Sequence, residues 1–97
     1  MKTVFADSAY WIALLNPRDG LHNKAIGASS FFTEASIVTS EMVLVEVLNY
    51  FAAGIPPVRT TVSGFIQRLR RDEQCQLIPQ TSRQFEDALL LYEAPAR

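Results

Sequence analysis

The sequence is poor in the residues that build cross-linked or nucleophilic sites, with one cysteine and one histidine among 97 residues. Because Cys75 is the lone cysteine, a disulfide within the chain and a cysteine-rich zinc site are excluded. The lone histidine, His22, leaves no credible Ser-His-Asp arrangement. We interpret Cys75 as a small core residue, and His22 as a structural partner of the Asp19 region rather than a general base. The four glycines form no loop that could cradle a phosphate.

Long apolar runs are also missing. No stretch reaches the roughly 18 consecutive apolar residues of a membrane helix. Asp7 interrupts the apolar run near the N-terminus, so we predict no signal peptide and a cytoplasmic location.

The formal net charge of −1 predicts no global attraction to nucleic acid, so any such binding must come from a local patch. With 48% apolar and 20% charged residues, the chain is expected to form one domain over residues 1–97.

Three short β-rich runs alternate with helical stretches along the chain. The predicted strands are Thr3–Ala6, Ser36–Val38 and Gln76–Ile78. Apolar spacing and capping residues predict five helices, over Ser8–Leu15, about Leu21–Phe32, Glu41–Ala53, Val58–Arg71 and from Thr81 or Ser82 to Tyr92. Strands separated by helices imply parallel pairing, so we predict an α/β fold with a short parallel sheet flanked by helices.

One full charge, Asp7, lies in the otherwise apolar or small segment VFADSAYWIALL. Between a strand and a helix, an aspartate is a natural N-cap, whose carboxylate accepts the free amide groups of the first turn. The same position is the carboxyl end of the first strand, where open α/β sheets bind their ligands. Both interpretations stay open at this point.

A second carboxylate, Glu46, lies in the helix segment MVLVEVLNYFAA, in which every residue but Glu46 and Asn49 is apolar or aromatic. We therefore expect Glu46 to be at least half buried. It then faces a cation, unless it lies on a narrow exposed stripe or pairs with a Lys or Arg. Helical side chains tilt toward the N-terminus of their helix, so this carboxylate is expected to reach back toward Asp7. Two converging carboxylates would suit Mg²⁺ or Mn²⁺.

Three blocks of the sequence match a known family in order and spacing. The first is MKTVFADSAYWIALLNPRDGLHNKA, with an aspartate and a serine after the strand, an aromatic-rich helix and the Asp19-x-x-His22-x-x-Ala25 spacing. The second is IVTSEMVLVEVLNYFA, with Glu46 as the helical acid, and the third is LIPQTSRQFEDALLLY. Together they resemble the PIN-domain ribonucleases, which include the VapC-type toxins of bacterial toxin–antitoxin pairs. The resemblance implies a three-layer PIN-like fold.

The same resemblance implies a Mg²⁺- or Mn²⁺-dependent endoribonuclease, with Asp7 and Glu46 as its metal-binding and catalytic residues. It also implies an RNA substrate and an antitoxin protein as partner. In that family the chain continues into at least one more strand, and further aspartates join the site there. We therefore expect this sequence to lack the C-terminal strands and part of the acidic site. The alternative hypotheses are a catalytically inactive PIN-like module that binds a protein partner, and a small phosphate-binding α/β domain.

Two further expectations concern the surface. Without a following strand, the edge of the first strand would be open and Leu90 and Leu91 of the last helix would need cover, so we expect a homodimer. The arginines of the fourth helix make a small basic face, which is either a track for an RNA backbone or a solvated helix surface. These arginines are Arg68, Arg70 and Arg71, with Arg59 a few turns earlier.

Overall fold

The structure is a computed structural model and describes residues 2–31 and 35–93. Its elements in chain order are β1 (Thr3–Phe5), α1 (Ser8–Leu15), α2 (His22–Phe31), β2 (Ser36–Ser40), α3 (Glu41–Tyr50), α4 (Pro56–Arg71), β3 (Cys75–Ile78) and α5 (Ser82–Glu93). All three predicted strands and all five predicted helices form in the predicted order. None of the described helices combines the length and the apolar character that crossing a membrane requires.

The three strands form one parallel sheet with the order β1-β2-β3. Val4 pairs with Ile37 in the first ladder, and Thr39 pairs with Leu77 in the second. In the helical layer, α1 packs on α2 and on α3, and α3 also packs on α4. Contacts of α3 with β2 and of α4 with β3 hold this layer on the sheet. The predicted α/β fold with a short parallel sheet is confirmed.

Trp11 lies at the centre of the core. Its indole ring is buried and meets the rings of Tyr10 and Phe65 edge-on, with centroid distances of 5.1 and 5.6 Å. Phe65 belongs to α4, so the aromatic contacts join the first and fourth helices. The buried core cluster consists of Ala6, Trp11, Leu44, Val47, Phe51, Val62, Ile66 and Leu69. Trp11 therefore anchors α1 in the core.

Three element boundaries differ from the predicted ones by two residues or more. β2 extends to Ser40 because Thr39 and Ser40 still pair with β3. α3 ends at Tyr50, three residues early, because the backbone of Phe51 leaves the helical region at φ −92° and ψ 3°. α4 begins at Pro56 rather than at residue 58, since a proline in the first helical positions lacks only an amide that would be unpaired there.

The surface of α3 is more apolar than a solvated helix normally is. Leu44 and Val47 are buried, whereas Met42, Val45 and Leu48 are exposed. The prediction that α3 has little solvated face is therefore wrong, because the sheet and the neighbouring helices cover one side of it only. The predicted apolar stripe of α5 is likewise not covered at Phe85 and Leu89, and Leu90 is exposed as expected. The structure does not describe the side chain of Leu91, for which cover is also expected.

Candidate active site

Asp7 lies at the carboxyl end of β1 and is the N-cap of α1. Its Oδ1 accepts a hydrogen bond from the backbone amide of Tyr10 at 2.9 Å, and its extended backbone is typical of an N-cap. The capping interpretation is therefore confirmed. The carboxylate is exposed, and the cap uses one of its two oxygens, so Oδ2 is available to a second ligand.

Next to Asp7, a buried hydroxyl joins three elements. Thr39 Oγ1 donates to the carbonyl of Ala6 at 2.8 Å and accepts from Trp11 Nε1 at 3.1 Å. The Ala6 amide donates in turn to the carbonyl of Val38 at 2.8 Å. The end of β1 is thus held to β2 by a backbone bond and by a fully buried side chain, and Asp7 is the next residue.

The contribution of Thr39 is not predicted from the sequence. A signal was present in the sequence. A tryptophan assigned to the core needs an acceptor for its indole N–H, and a threonine at a strand end inside an apolar block can supply one.

Helix α3 begins beside Asp7. Phe5 pairs with Val38, so continuing the register by two residues sets Asp7 level with Ser40. Ser40 caps α3 by accepting from the amide of Val43 at 3.1 Å. At the other end, Asn16 Nδ2 donates to the hydroxyl of Tyr50 at 3.3 Å, directly after α1. Helices α1 and α3 therefore start at the same edge of the sheet and run side by side in the same direction.

Glu46 lies on α3 one turn before Tyr50. Residues four apart share one side of a helix, so Glu46 is on the side of α3 from which Tyr50 reaches Asn16, just beyond α1. The side chain is exposed, and the expectation that it is at least half buried is wrong. An exposed carboxylate keeps its hydration, so the charge of Glu46 does not require a neighbouring cation.

The carboxylates of the described residues do not assemble into a larger ligand set. Within residues 2–31 and 35–93 there is no group of three or more His, Cys, Asp or Glu that could hold a metal ion. Oxygen ligands such as Asp7 and Glu46 suit Mg²⁺, which is commonly held by one or two carboxylates with water and substrate phosphates as the other ligands. The donor chemistry therefore fits this ion.

Two other side chains near α1 have structural roles. His22 Nδ1 lies 2.7 Å from the carbonyl oxygen of Ala13. Because a carbonyl oxygen only accepts, Nδ1 is the protonated nitrogen and donates this hydrogen bond. The His22 amide also donates to the carbonyl of Asp19, in agreement with the structural interpretation of His22. Tyr10 packs its ring against Trp11 in the core, and burial raises the pKa of its phenol above the ordinary value.

The architecture matches that of a solved toxin. VapC20 of Mycobacterium tuberculosis, described as a toxin that cleaves the sarcin–ricin loop, has a TM-score of 0.74 to this chain at 20% sequence identity. The match covers 97% of this chain and 70% of the toxin. The chain has a PIN-like fold. The resemblance predicted from the three sequence blocks is thereby confirmed at the level of the fold. No protein-family model matches the PIN-like chain, and no curated protein sequence does.

Proposed function

We propose that the protein is a divalent-metal-dependent endoribonuclease of the VapC toxin type. The observation that carries this proposal is the PIN-like fold shared with an RNA-cleaving toxin, with an exposed aspartate at the end of its first strand. The proposal includes an RNA substrate, an antitoxin protein as partner and a cytoplasmic location.

In this proposal Asp7 and Glu46 are the protein ligands of Mg²⁺ or Mn²⁺. The ion, when bound, would supply a more acidic water as nucleophile and would stabilise the charge that develops on the phosphate. Asp7 would help to hold the ion, while the bond from the Tyr10 amide to Oδ1 fixes the plane of its carboxylate. The buried bonds of Thr39 orient the end of β1 on which Asp7 lies.

The test combines RNA cleavage with metal binding. Asp7→Asn and Glu46→Gln should each lower the rate of RNA cleavage in Mg²⁺ or Mn²⁺ at least a hundredfold and should weaken Mn²⁺ binding measured by calorimetry. The matched controls are Asp19→Asn and Glu73→Gln, which remove the same charges elsewhere and should leave both measurements unchanged. Equal Mn²⁺ affinity in all five proteins would contradict the proposed ligands.

A second candidate function is a non-catalytic module that binds a protein partner. It is favoured by the small number of carboxylates, because phosphodiester hydrolysis commonly uses several acids around two ions, and the described residues form no such group. A folded wild-type protein that neither cleaves RNA nor binds Mn²⁺ would support this function instead of the first.

We also propose that the protein is a homodimer that pairs through β1. The Lys2 carbonyl and the Ala6 amide bond to β2 at 2.9 and 2.8 Å. Backbone groups alternate in direction along a strand, so those of Thr3 and Phe5 point away from β2. Within the described residues β1 is one of the two edge strands of the sheet, and an open edge is a template for another strand.

A further inference from the structure

Helix α4 carries charge of one sign. Between Pro56 and Arg71 it has four arginines and no Asp or Glu, although the whole chain has a formal net charge of −1. Among the described residues, no carboxylate pairs with any of these arginines. The carboxylate of Asp72, directly after the helix, accepts instead from the amide of Gln74 at 2.8 Å. Within the described residues, the arginines of α4 therefore form no ion pair with a carboxylate.

The helical periodicity places the apolar and the polar side chains of α4 on different sides of the helix. Val62, Ile66 and Leu69 are buried against the core. At 100° per residue, one flank of the remaining surface carries a band that we call the basic ridge. The basic ridge consists of Arg59, Thr60, Ser63, Gln67, Arg70 and Arg71. Arg68 lies outside it, with its guanidinium 5.9 Å from the centre of the Phe65 ring.

The surface has two depressions where the basic ridge begins, and the first of them is shallow and wide open. A hollow of about 520 Å³ runs along α4 and is lined by Pro56, Arg59, Thr60, Ser63 and Gly64. A second hollow of about 330 Å³ lies between α3 and α4, where Asn49 faces Arg59 and Ser63. Arg59 and Ser63 line both hollows, so a guanidinium and a hydroxyl stand where the two meet. Farther along the ridge, Arg70 donates to Gln67 Oε1 at 3.2 Å, which orients a second guanidinium.

We propose that the basic ridge binds the phosphodiester backbone of single-stranded RNA, an inference that rests on the proposed nuclease function. A guanidinium can donate two parallel hydrogen bonds to one phosphate, and hydroxyl and amide groups also contact phosphate and sugar oxygens. Arg59 and Arg70 are eleven residues apart, about 16 Å along the helix axis, which leaves room for more than one phosphate between them. Contacts of this kind carry no base sequence, so the ridge positions RNA without selecting it.

An acidic protein is the other partner that a basic surface could attract. Protein interfaces are usually built around a desolvated apolar centre with large anchoring side chains. The six residues of the basic ridge are all polar or charged, and the apolar side chains between residues 59 and 71 are buried or half-buried. Exposed apolar side chains border the ridge only where it begins, at Val58 and at Leu48 in the second hollow. The composition of the ridge therefore favours a phosphate polymer over a protein.

The test is the salt dependence of RNA binding. We would measure the anisotropy of a labelled 12-nucleotide single-stranded RNA in EDTA, so that metal-dependent cleavage does not occur, between 50 and 300 mM KCl. Arg59→Gln/Arg70→Gln should bind about tenfold more weakly at low salt, with a log–log slope shallower by about 1.4, because each lost phosphate contact removes roughly 0.7. Arg59→Lys/Arg70→Lys keeps both charges and should retain the wild-type slope.

The controls match the loss of charge. Arg18→Gln/Lys24→Gln removes two positive charges from other parts of the surface, and Arg68→Gln removes one from α4 outside the ridge; both should keep nearly the wild-type slope. Circular dichroism would verify that the helices are retained. The proposal is overturned if the wild type does not bind RNA in EDTA, or if both double Gln variants behave alike. Equal competition by polyglutamate of the same charge would overturn it in favour of an acidic protein.

Binding in EDTA also separates this inference from the nuclease proposal. If the RNA-cleavage test fails while the ridge variant loses affinity, the ridge stands as an RNA-binding surface without the proposed chemistry. If cleavage depends on Asp7 while the ridge variant binds like the wild type, the nuclease proposal is supported and the proposed role of the basic ridge is refuted.

Discussion

The indole N–H of Trp11 donates to the hydroxyl of Thr39 across 3.1 Å, and both side chains are buried. The same hydroxyl donates to the carbonyl of Ala6 at 2.8 Å. One uncharged oxygen therefore links α1, β1 and β2 at the point where the chain continues into Asp7. The position of a carboxylate at the surface depends here on two side chains in the core.

Thr39→Val should lower the free energy of unfolding by about 2–6 kcal/mol, because two buried polar groups each lose a partner at about 1–3 kcal/mol apiece. Valine has nearly the same shape as threonine, so packing changes little. Thr39→Ser keeps the hydroxyl and loses one methyl group, at a cost of about 1 kcal/mol. Urea denaturation measures both values. An equal cost for the two variants would show that the hydrogen bonds contribute nothing.

Most of the architecture could be predicted from local signals. The caps at Asp7 and Ser40 and the apolar spacing in α4 each depend on neighbouring residues, so the elements themselves were predictable. Parallel pairing followed from strands that alternate with helices. Boundaries were less predictable, because the end of β2 is set by pairing with β3, which is distant in sequence.

The candidate site was predictable in part. Asp7 follows a strand, and that placement is visible in the sequence. Glu46 is predicted as a site residue because it is the one carboxylate of the apolar segment MVLVEVLNYFAA and was expected to be buried there. This reason is wrong, because α3 leaves Met42, Val45 and Leu48 exposed as well. A sequence does not show which flank of a helix its neighbours cover. The bond between Trp11 and Thr39 joins residues 28 positions apart, so no local pattern reveals it.

Gly64→Ala should stabilise the protein by about 0.5–1 kcal/mol, the difference in helix propensity between the two residues. Gly64 lies inside α4, and a Cβ atom there would meet only Arg68 Nη1, at 4.0 Å. Gly54→Ala is the matched control, because its Cβ would lie 3.0 Å from the carbonyl oxygen of Phe51. Thermal unfolding should show a higher Tm for the first variant and no increase for the second.

Cys75 should react slowly with iodoacetamide at pH 8 in the folded protein. Burial, and secondarily the charge of Asp72, raise the pKa of its thiol, so less of the reactive thiolate is present. Asp72→Asn removes the smaller cause and should accelerate alkylation modestly, while unfolding in urea should accelerate it more. A folded rate as fast as the unfolded rate would contradict the prediction.

The same raised pKa predicts how stability depends on pH. A folded pKa above the unfolded one contributes stability that is complete below the unfolded value of about 8.5 and is lost as the pH rises through the folded pKa. The free energy of unfolding should therefore decrease with pH above about 8.5, and Cys75→Ala should reduce that decrease. Urea titrations at pH 7.5, 8.5 and 9.5 measure it.

Sedimentation equilibrium at micromolar concentration should give about twice the mass of the 10.9 kDa chain. Phe5→Lys places a charge on the open edge of β1 and should give a monomer, because charged residues on edge strands oppose pairing. Leu21→Lys is the control: Leu21 is 58% exposed and Phe5 59%, but Leu21 is outside the sheet. A wild-type monomer at this concentration would refute pairing through β1.

The parallel sheet also determines the order in which this molecule can fold. No hairpin joins its strands; Val4 pairs with Ile37 and Val38 with Gln76, so each ladder closes a loop of more than 30 residues. Helix pairs form from local contacts in microseconds, whereas distant pairings of this kind close later and more slowly. The ends of β1 and β2, and with them Asp7, therefore reach their places at the end of folding. A chain emerging from the ribosome acquires its helices first and its candidate site last.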